Sequence, residues 1–203
     1  MYDVIVIGAR CAGSPTAMLL ARRGYRVLLL DKAGFPSDTL STHFVQQPGI
    51  ARLKRWGLLD KVIASNCPPI HALRFDVGPF ALTGASPAYD GVADAYAPRR
   101  RVLDNILVEA AAQAGAELRE HFTVSELLMD GDRVTGIRGH AADGVAVTER
   151  ARIVIGADGM RSLVARSVQA LPTMRSPASR VSTTPTGAIS ISKAPSYILG
   201  RSR

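Results

Sequence analysis

Near the N-terminus, Gly8-Ala9-Arg10-Cys11-Ala12-Gly13 sets two glycines around small residues, directly after an apolar run. Small residues at a strand-to-helix turn let backbone N–H groups approach a phosphate, and a helix starting there adds the positive end of its dipole. In the fingerprint G-x-G-x-x-G the first glycine permits the tight turn, the second admits a diphosphate and the third lets the helix pack on the strand. Gly8 and Gly13 hold the outer positions, and Arg10 stands at the middle one. Its side chain must then point away from the turn or swing over the phosphates as a donor. Asp31 follows 18 residues after Gly13, at the end of a second apolar run. A carboxylate there accepts hydrogen bonds from an adenosine ribose and argues against a 2′-phosphate. Gly156-Ala157-Asp158-Gly159 closes a later apolar run, with Ser162 just beyond. A plain nicotinamide dehydrogenase has no need of this second acid–glycine turn. Taken singly, each piece has a plainer reading: a tight turn of any α/β protein, or a strand-end Asp capping its own turn.

These residues need rigid elements to hold them. Residues 3–8 (DVIVIG) read as a strand buried on both faces, residues 12–23 as a helix stopped by Gly24, and residues 25–31 (YRVLLLD) as a second strand. Two apolar strands joined by a helix make a right-handed βαβ crossover and a parallel sheet. A Pro/Ser/Thr-rich loop over 32–45 precedes a helix over 49–56, whose cationic face is solvated and whose Trp56 packs inward. Residues 68–98 contain five prolines and read as strands and loops of an excursion from the first domain. A helix over 100–114 carries Val102, Leu103, Ile106, Leu107, Ala110 and Ala111 on one stripe and stops at Gly115. An antiparallel meander follows, turning at Asp130-Gly131-Asp132 and Asp143-Gly144. Residues 151–159 (ARIVIGADG) read as another buried strand, and residues 160–167 as the start of a helix.

With the three motifs in this order, residues 1–169 resemble the class A flavoprotein monooxygenases, the aromatic hydroxylases and their relatives. The resemblance implies an α/β fold: a Rossmann-like FAD-binding βαβ sheet with an antiparallel meander and an incomplete substrate domain. Residues 1–67 are then the first part of the FAD-binding domain, 68–98 a partial substrate-domain excursion and 99–170 the continuation. It assigns the ADP half of FAD to Gly8, Arg10, Cys11, Ala12 and Gly13, with Asp31 and Lys32. It also places an arginine near the flavin at the start of an Arg-x-x-Leu helix. Arg100 with Leu103 supplies that pattern, with Arg99 and Arg101 left open by the triple arginine. Val124, just after GAELREHF, sets backbone groups against the adenine, and Asp158 and Gly159 contact the flavin nucleotide and the NAD(P)H path. The implied activity is hydroxylation of a small organic, aromatic substrate, with NAD(P)H as transient reductant and oxygen reacting at the flavin. Reductases of isoprenoid double bonds and halogenases share the scaffold. The family's second motif, a Gly-Asp with Ala and His after it, is not found. A third expectation is therefore a truncated, inert chain that binds FAD weakly or not at all.

Composition narrows the remaining classes. Of 203 residues 47% are hydrophobic and 21% charged, ordinary for a soluble protein. Two cysteines make no disulfide scaffold, so the cytoplasm is expected. The four histidines stand apart, and no metal site is expected. Neither a signal peptide nor a membrane-spanning run is visible. Of the net charge of +8, five units come from residues 171–203, which hold five Lys/Arg and no Asp/Glu, and the rest of the chain is about balanced, so neither nucleic acid nor membrane is an expected partner. The oligomeric state is left open. Cys11 is read as a small packing residue and His43 as a solvated loop histidine.

Composition breaks after Ala170: of the last 33 residues, 15 are Ser, Thr or Pro. Residues 171–203 are read as a disordered tail or as an out-of-frame one. Joining the third base of each codon to the first two of the next turns Thr into a codon for Tyr, His, Asn or Asp. Pro then becomes a codon that can encode Thr, and Gly one that can encode Trp. Over 181–187 (VSTTPTG) the shifted frame permits Cys-Val-Tyr-Tyr-Thr-Tyr-Trp. That string is aromatic and β-prone, and it is similar to what close relatives carry at this point. Sequencing the gene over codons 165–203 decides between the two: an open frame encoding the missing Gly-Asp motif is expected, and an early stop defeats the idea.

Overall fold

The computed structural model describes residues 1–170 and, beyond them, the strands β11 (Arg180–Thr183) and β12 (Ile189–Ser192). The chain divides into two compact units, Met1–Val168 and Gln169–Arg203.

In the first unit, β1 (Tyr2–Ile7) is apolar at every position except Asp3. Its side chains alternate, so Val4 and Val6 join one core and Ile5 and Ile7 another. Helix α1 (Gly13–Ala21) returns the chain to β2 (Val27–Leu30), where Val27 and Leu29 face the first core and Leu28 and Leu30 the second. From Val4 on, β1 and all of β2 are continuous apolar runs, as strands covered on both faces require. β2 is shorter than the expected 25–31. Tyr25 is exposed, and pairing begins at Arg26, whose carbonyl accepts from the N–H groups of Asp3 and Val4.

The first core lies under helices. Ala17 and Met18 of α1 pack there with Ile50 and Leu53 of α2 (Gln47–Arg55), Val62 of α3 (Leu59–Ala64), and Leu103, Leu107 and Ala111 of α4 (Arg100–Gln113). α1 packs directly on α4. α4 leads into β7 (Glu117–Arg119), which pairs parallel with β2. Between α3 and α4 lie two small antiparallel sheets: β3 (Pro69–Ile70) with β6 (Ala95–Tyr96), and β4 (Leu73–Asp76) with β5 (Ala81–Gly84).

Three longer strands, β8 (Thr123–Asp130), β9 (Arg133–His140) and β10 (Ala146–Gly156), form the meander, with turns at the two Asp/Gly pairs read from the sequence. The sheet order is β7-β2-β1-β10-β9-β8. β10 does two jobs: Ala146–Arg150 pairs antiparallel with β9, and the stretch from Ala151 to Gly156 pairs parallel with β1. Leu127 and Ile137 close the second core over Ile5 and Leu28.

One expectation is corrected here. The run 151–159 is not a doubly buried strand: it ends at Gly156, and Ile153 is 57% exposed. The helical layer lies over β1 and β2, and among the described residues nothing covers Ile153. A short helix, α5 (Leu163–Ser167), follows. The disordered or out-of-frame reading of 171–203 falls outside the described residues, apart from β11 and β12, which pair antiparallel.

Candidate cofactor-binding cleft

The carboxyl ends of β1, β2 and β10 meet where the chain order reverses on either side of β1, which is where open α/β sheets hold ligands. A cleft of about 500 Å³ opens there, within the usual range for small-molecule sites. Of the residues assigned from sequence, Gly8, Arg10, Cys11, Ala12, Asp31, Lys32, Arg100, Val124, Asp158 and Gly159 all line it.

Gly13 does not line the cleft, because its part is packing. A Cβ at Gly13 would stand 1.7 Å from the Gly8 carbonyl oxygen. Gly8 has φ +100°, and a Cβ there would stand 2.4 Å from the Ala157 carbonyl oxygen. The first glycine therefore serves two turns, since it lets the one after β10 close against the one after β1. Ala157 N–H donates to Ile7 O at 2.8 Å and locks that contact. At the start of α1, Ser14 N–H donates to Arg10 O at 3.0 Å, Thr16 N–H donates to Ala12 O at 3.4 Å and Pro15 carries no N–H; the first turn holds no acidic side chain.

Both acids are partly engaged by their own backbones. Asp31 is 9% exposed; its Oδ2 accepts from Ala9 N–H at 2.7 Å and its Oδ1 from Ala33 N–H at 2.8 Å. The plain turn-capping role is therefore present. Each carboxylate oxygen still has a second acceptor site for a ribose hydroxyl. Asp158 turns toward α5. Its Oδ1 accepts from the Ser162 hydroxyl at 2.6 Å, and its Oδ2 accepts from Leu163 N–H at 2.6 Å and Val164 N–H at 3.3 Å. Ser162 in turn caps the helix by accepting from Ala165 N–H at 2.9 Å.

The arginine register is resolved by packing. Arg99 pairs with Asp38, Arg101 is exposed, and Arg100 reaches the cleft. Arg10 points its side chain away from the turn. It lies over the Phe35 ring, bonds Ser37 Oγ at 3.1 Å and pairs with Asp104 at 2.6 Å. Cys11 is not the packing residue expected: it is exposed, and its Sγ donates to Asp104 Oδ1 at 3.3 Å. Although the residue as a whole is exposed, the packing around its sulfur and then the Asp104 charge push the thiol up to about 11, so it stays protonated at neutral pH. The reason is tertiary, since the fold brings a carboxylate 93 positions away against it.

Asp104 was missed by sequence reasoning. Its signal was an acid within the apolar face of a helix, four residues after Arg100. His43 also departs from expectation. Its φ is +61°, and its Nδ1 is buried without a hydrogen-bond partner instead of being solvated. Val124 sits at the start of β8, where the pairing register slips between Val124 and Glu126. Such bulges re-aim a strand beside a binding site. Among the described residues no group of three or more His, Cys, Asp or Glu is placed to hold a metal ion. No described helix is long and apolar enough to cross a membrane.

A glycine turn against a helix start, an acid closing β2 and a second acid–glycine turn after β10 define a dinucleotide-type flavoprotein site. The chain belongs to the FAD binding domain family, which matches residues 1–192 and so runs past the composition break at Ala170. It is 32% identical over 180 residues to digeranylgeranylglycerophospholipid reductase 2 of Methanopyrus kandleri, covering 86% of this chain and 41% of the relative. It is 30% identical over 185 residues to rifampicin monooxygenase of Rhodococcus hoagii, covering 88% and 36%. Among solved structures, the myxobacterial chondrochloren halogenase superposes with a TM-score of 0.72 at 28% identity, covering 79% of this chain and 38% of that one. The chain thus spans about two fifths of the length of the curated relatives it matches.

Proposed function

We propose that this chain forms the FAD-binding part of an NAD(P)H-dependent flavin monooxygenase that hydroxylates a small organic, aromatic molecule. The observation that carries the reading is the single cleft into which the Gly8 turn, Asp31, Arg100, Val124 and the Asp158–Gly159 turn all open. The similarity to rifampicin monooxygenase supports the reaction class. The residues fit the cofactor. The glycine cradle would collide with added side chains, and helix α1 begins at its edge. Asp31 keeps free acceptor sites, and Arg100 lines the same cleft.

In this reading the Gly8–Gly13 turn and the start of α1 receive the diphosphate. Asp31 holds the adenosine ribose, and Lys32 flanks it. The strand at Val124 borders the adenine, the Asp158–Gly159 turn faces the flavin half, and Arg100 meets that half at its diphosphate end. When bound, FAD supplies the redox chemistry, and these side chains position it. Two unpaired cysteines, Cys11 and Cys67, support a reducing cytoplasm as the location.

Titrating the purified chain with FAD tests the reading. Saturable flavin binding is expected, together with NADPH oxidation that substrate accelerates and that consumes oxygen. No flavin uptake overturns the cofactor assignment. NADPH oxidation that saturates an isoprenoid double bond without oxygen uptake replaces the hydroxylase by a reductase, and flavin binding without any turnover leaves an inert chain.

A further inference from the structure

We propose that Asp104 is a positioning residue for a dinucleotide diphosphate, holding Arg100 and Arg10 as a preorganised cationic pair on the cleft wall. This rests on the FAD-binding reading above.

The Asp104 side chain is 0% exposed, on the buried face of α4 beside Leu103 and Leu107. A carboxylate so placed is costly unless fully compensated. Here the compensation is complete. Oδ1 accepts from Arg100 Nε at 2.9 Å and from Cys11 Sγ at 3.3 Å. Oδ2 accepts from Arg100 Nη2 at 3.0 Å and from Arg10 Nη1 at 2.6 Å. Those four bonds fill the roughly four acceptor sites of an ionised carboxylate.

The arrangement has a front and a back. Arg10, Cys11 and Arg100 line the cleft, whereas Asp104 lies behind them. Two guanidiniums and one carboxylate leave a net positive charge facing the space beside the start of α1. Arg100 grips the acid with only one edge, Nε and Nη2, so the two N–H groups of Nη1 are not used on Asp104. A planar guanidinium fixed on one edge and open on the other is suited to a phosphate oxygen. The same carboxylate accounts for an arginine at the middle glycine position. It draws the Arg10 side chain off the turn and leaves the backbone there to the diphosphate.

The test uses ADP and adenosine as probes, titrated into the parent chain, Asp104→Asn and Arg10→Gln, each below its own unfolding temperature. For Asp104→Asn, ADP affinity is expected to fall about tenfold, because the guanidiniums lose their fixed orientation, while adenosine affinity stays within about twofold. Arg10→Gln removes one limb of the cluster from its solvent side and is expected to cost about threefold in ADP affinity alone. It decides the matter if Asp104→Asn does not fold. Unchanged ADP affinity in the variants, or equal losses for ADP and adenosine, overturns the positioning role. A parent chain that binds neither probe overturns the FAD-binding reading itself, and this proposal with it.

Discussion

Asp31→Ala is expected to weaken FAD binding at least tenfold. A hydrogen bond to a charged group contributes about 1.5–3 kcal/mol, and about 1.4 kcal/mol is a factor of ten. The structure adds a second consequence. Ala9 N–H and Ala33 N–H both lose their acceptor, and a buried donor left without one costs about 1–3 kcal/mol. The variant should therefore unfold at lower temperature as well as bind less tightly. The two roles separate through the ligand. If Asp31 holds the ribose hydroxyls, the parent prefers ADP over 2′,3′-dideoxy-ADP, and the variant loses that preference. An unchanged preference, read by the same titration, assigns Asp31 to the turn alone.

The largest loss of stability is expected from Gly13→Ala. On an ordinary helix this substitution gains up to about 1 kcal/mol, because alanine is the better helix former. Here the sign reverses. The new methyl would stand 1.7 Å from the Gly8 carbonyl oxygen and 3.2 Å from Ala157 Cβ. A side chain in its path could rotate away, but a backbone carbonyl cannot without dismantling the turn. Overpacking costs typically about 1–3 kcal/mol and occasionally more, and this site belongs at the upper end. α1 must lift off β1, so FAD binding is expected to fall with stability. Thermal unfolding is the measurement, with Arg23→Lys as a control at an exposed position just past the same helix, expected within about 0.5 kcal/mol of the parent. A Gly13→Ala protein as stable as the parent would show that helix and strand do not approach as described.

Much of this could be read from short stretches of chain. The apolar runs of β1 and β2, the two glycines five positions apart, and the acids closing β2 and β10 are local patterns. What they state, an extended apolar run or a turn without side chains, depends on neighbouring residues alone. The candidate residues other than Gly13 accordingly converge on one cleft. Other properties depend on residues far apart in the chain. Arg10 and Asp104 are 94 positions apart, and they meet only because α1 packs on α4. No periodicity in either segment encodes that crossing. The choice among Arg99, Arg100 and Arg101 was open for the same reason, since Arg99 precedes α4, Arg101 lies about 100° around it from Arg100, and only packing fixes which faces the cleft. Asp158 was legible as an acid in a turn, but its commitment to α5 was not. The exposed face of β10 also escaped, because an apolar run states that a strand can be covered on both sides and not whether a layer lies there to cover it. Composition and spacing thus set which groups are available, while the packing of α1 on α4 and the pairing of β10 with both β9 and β1 set which of them touch.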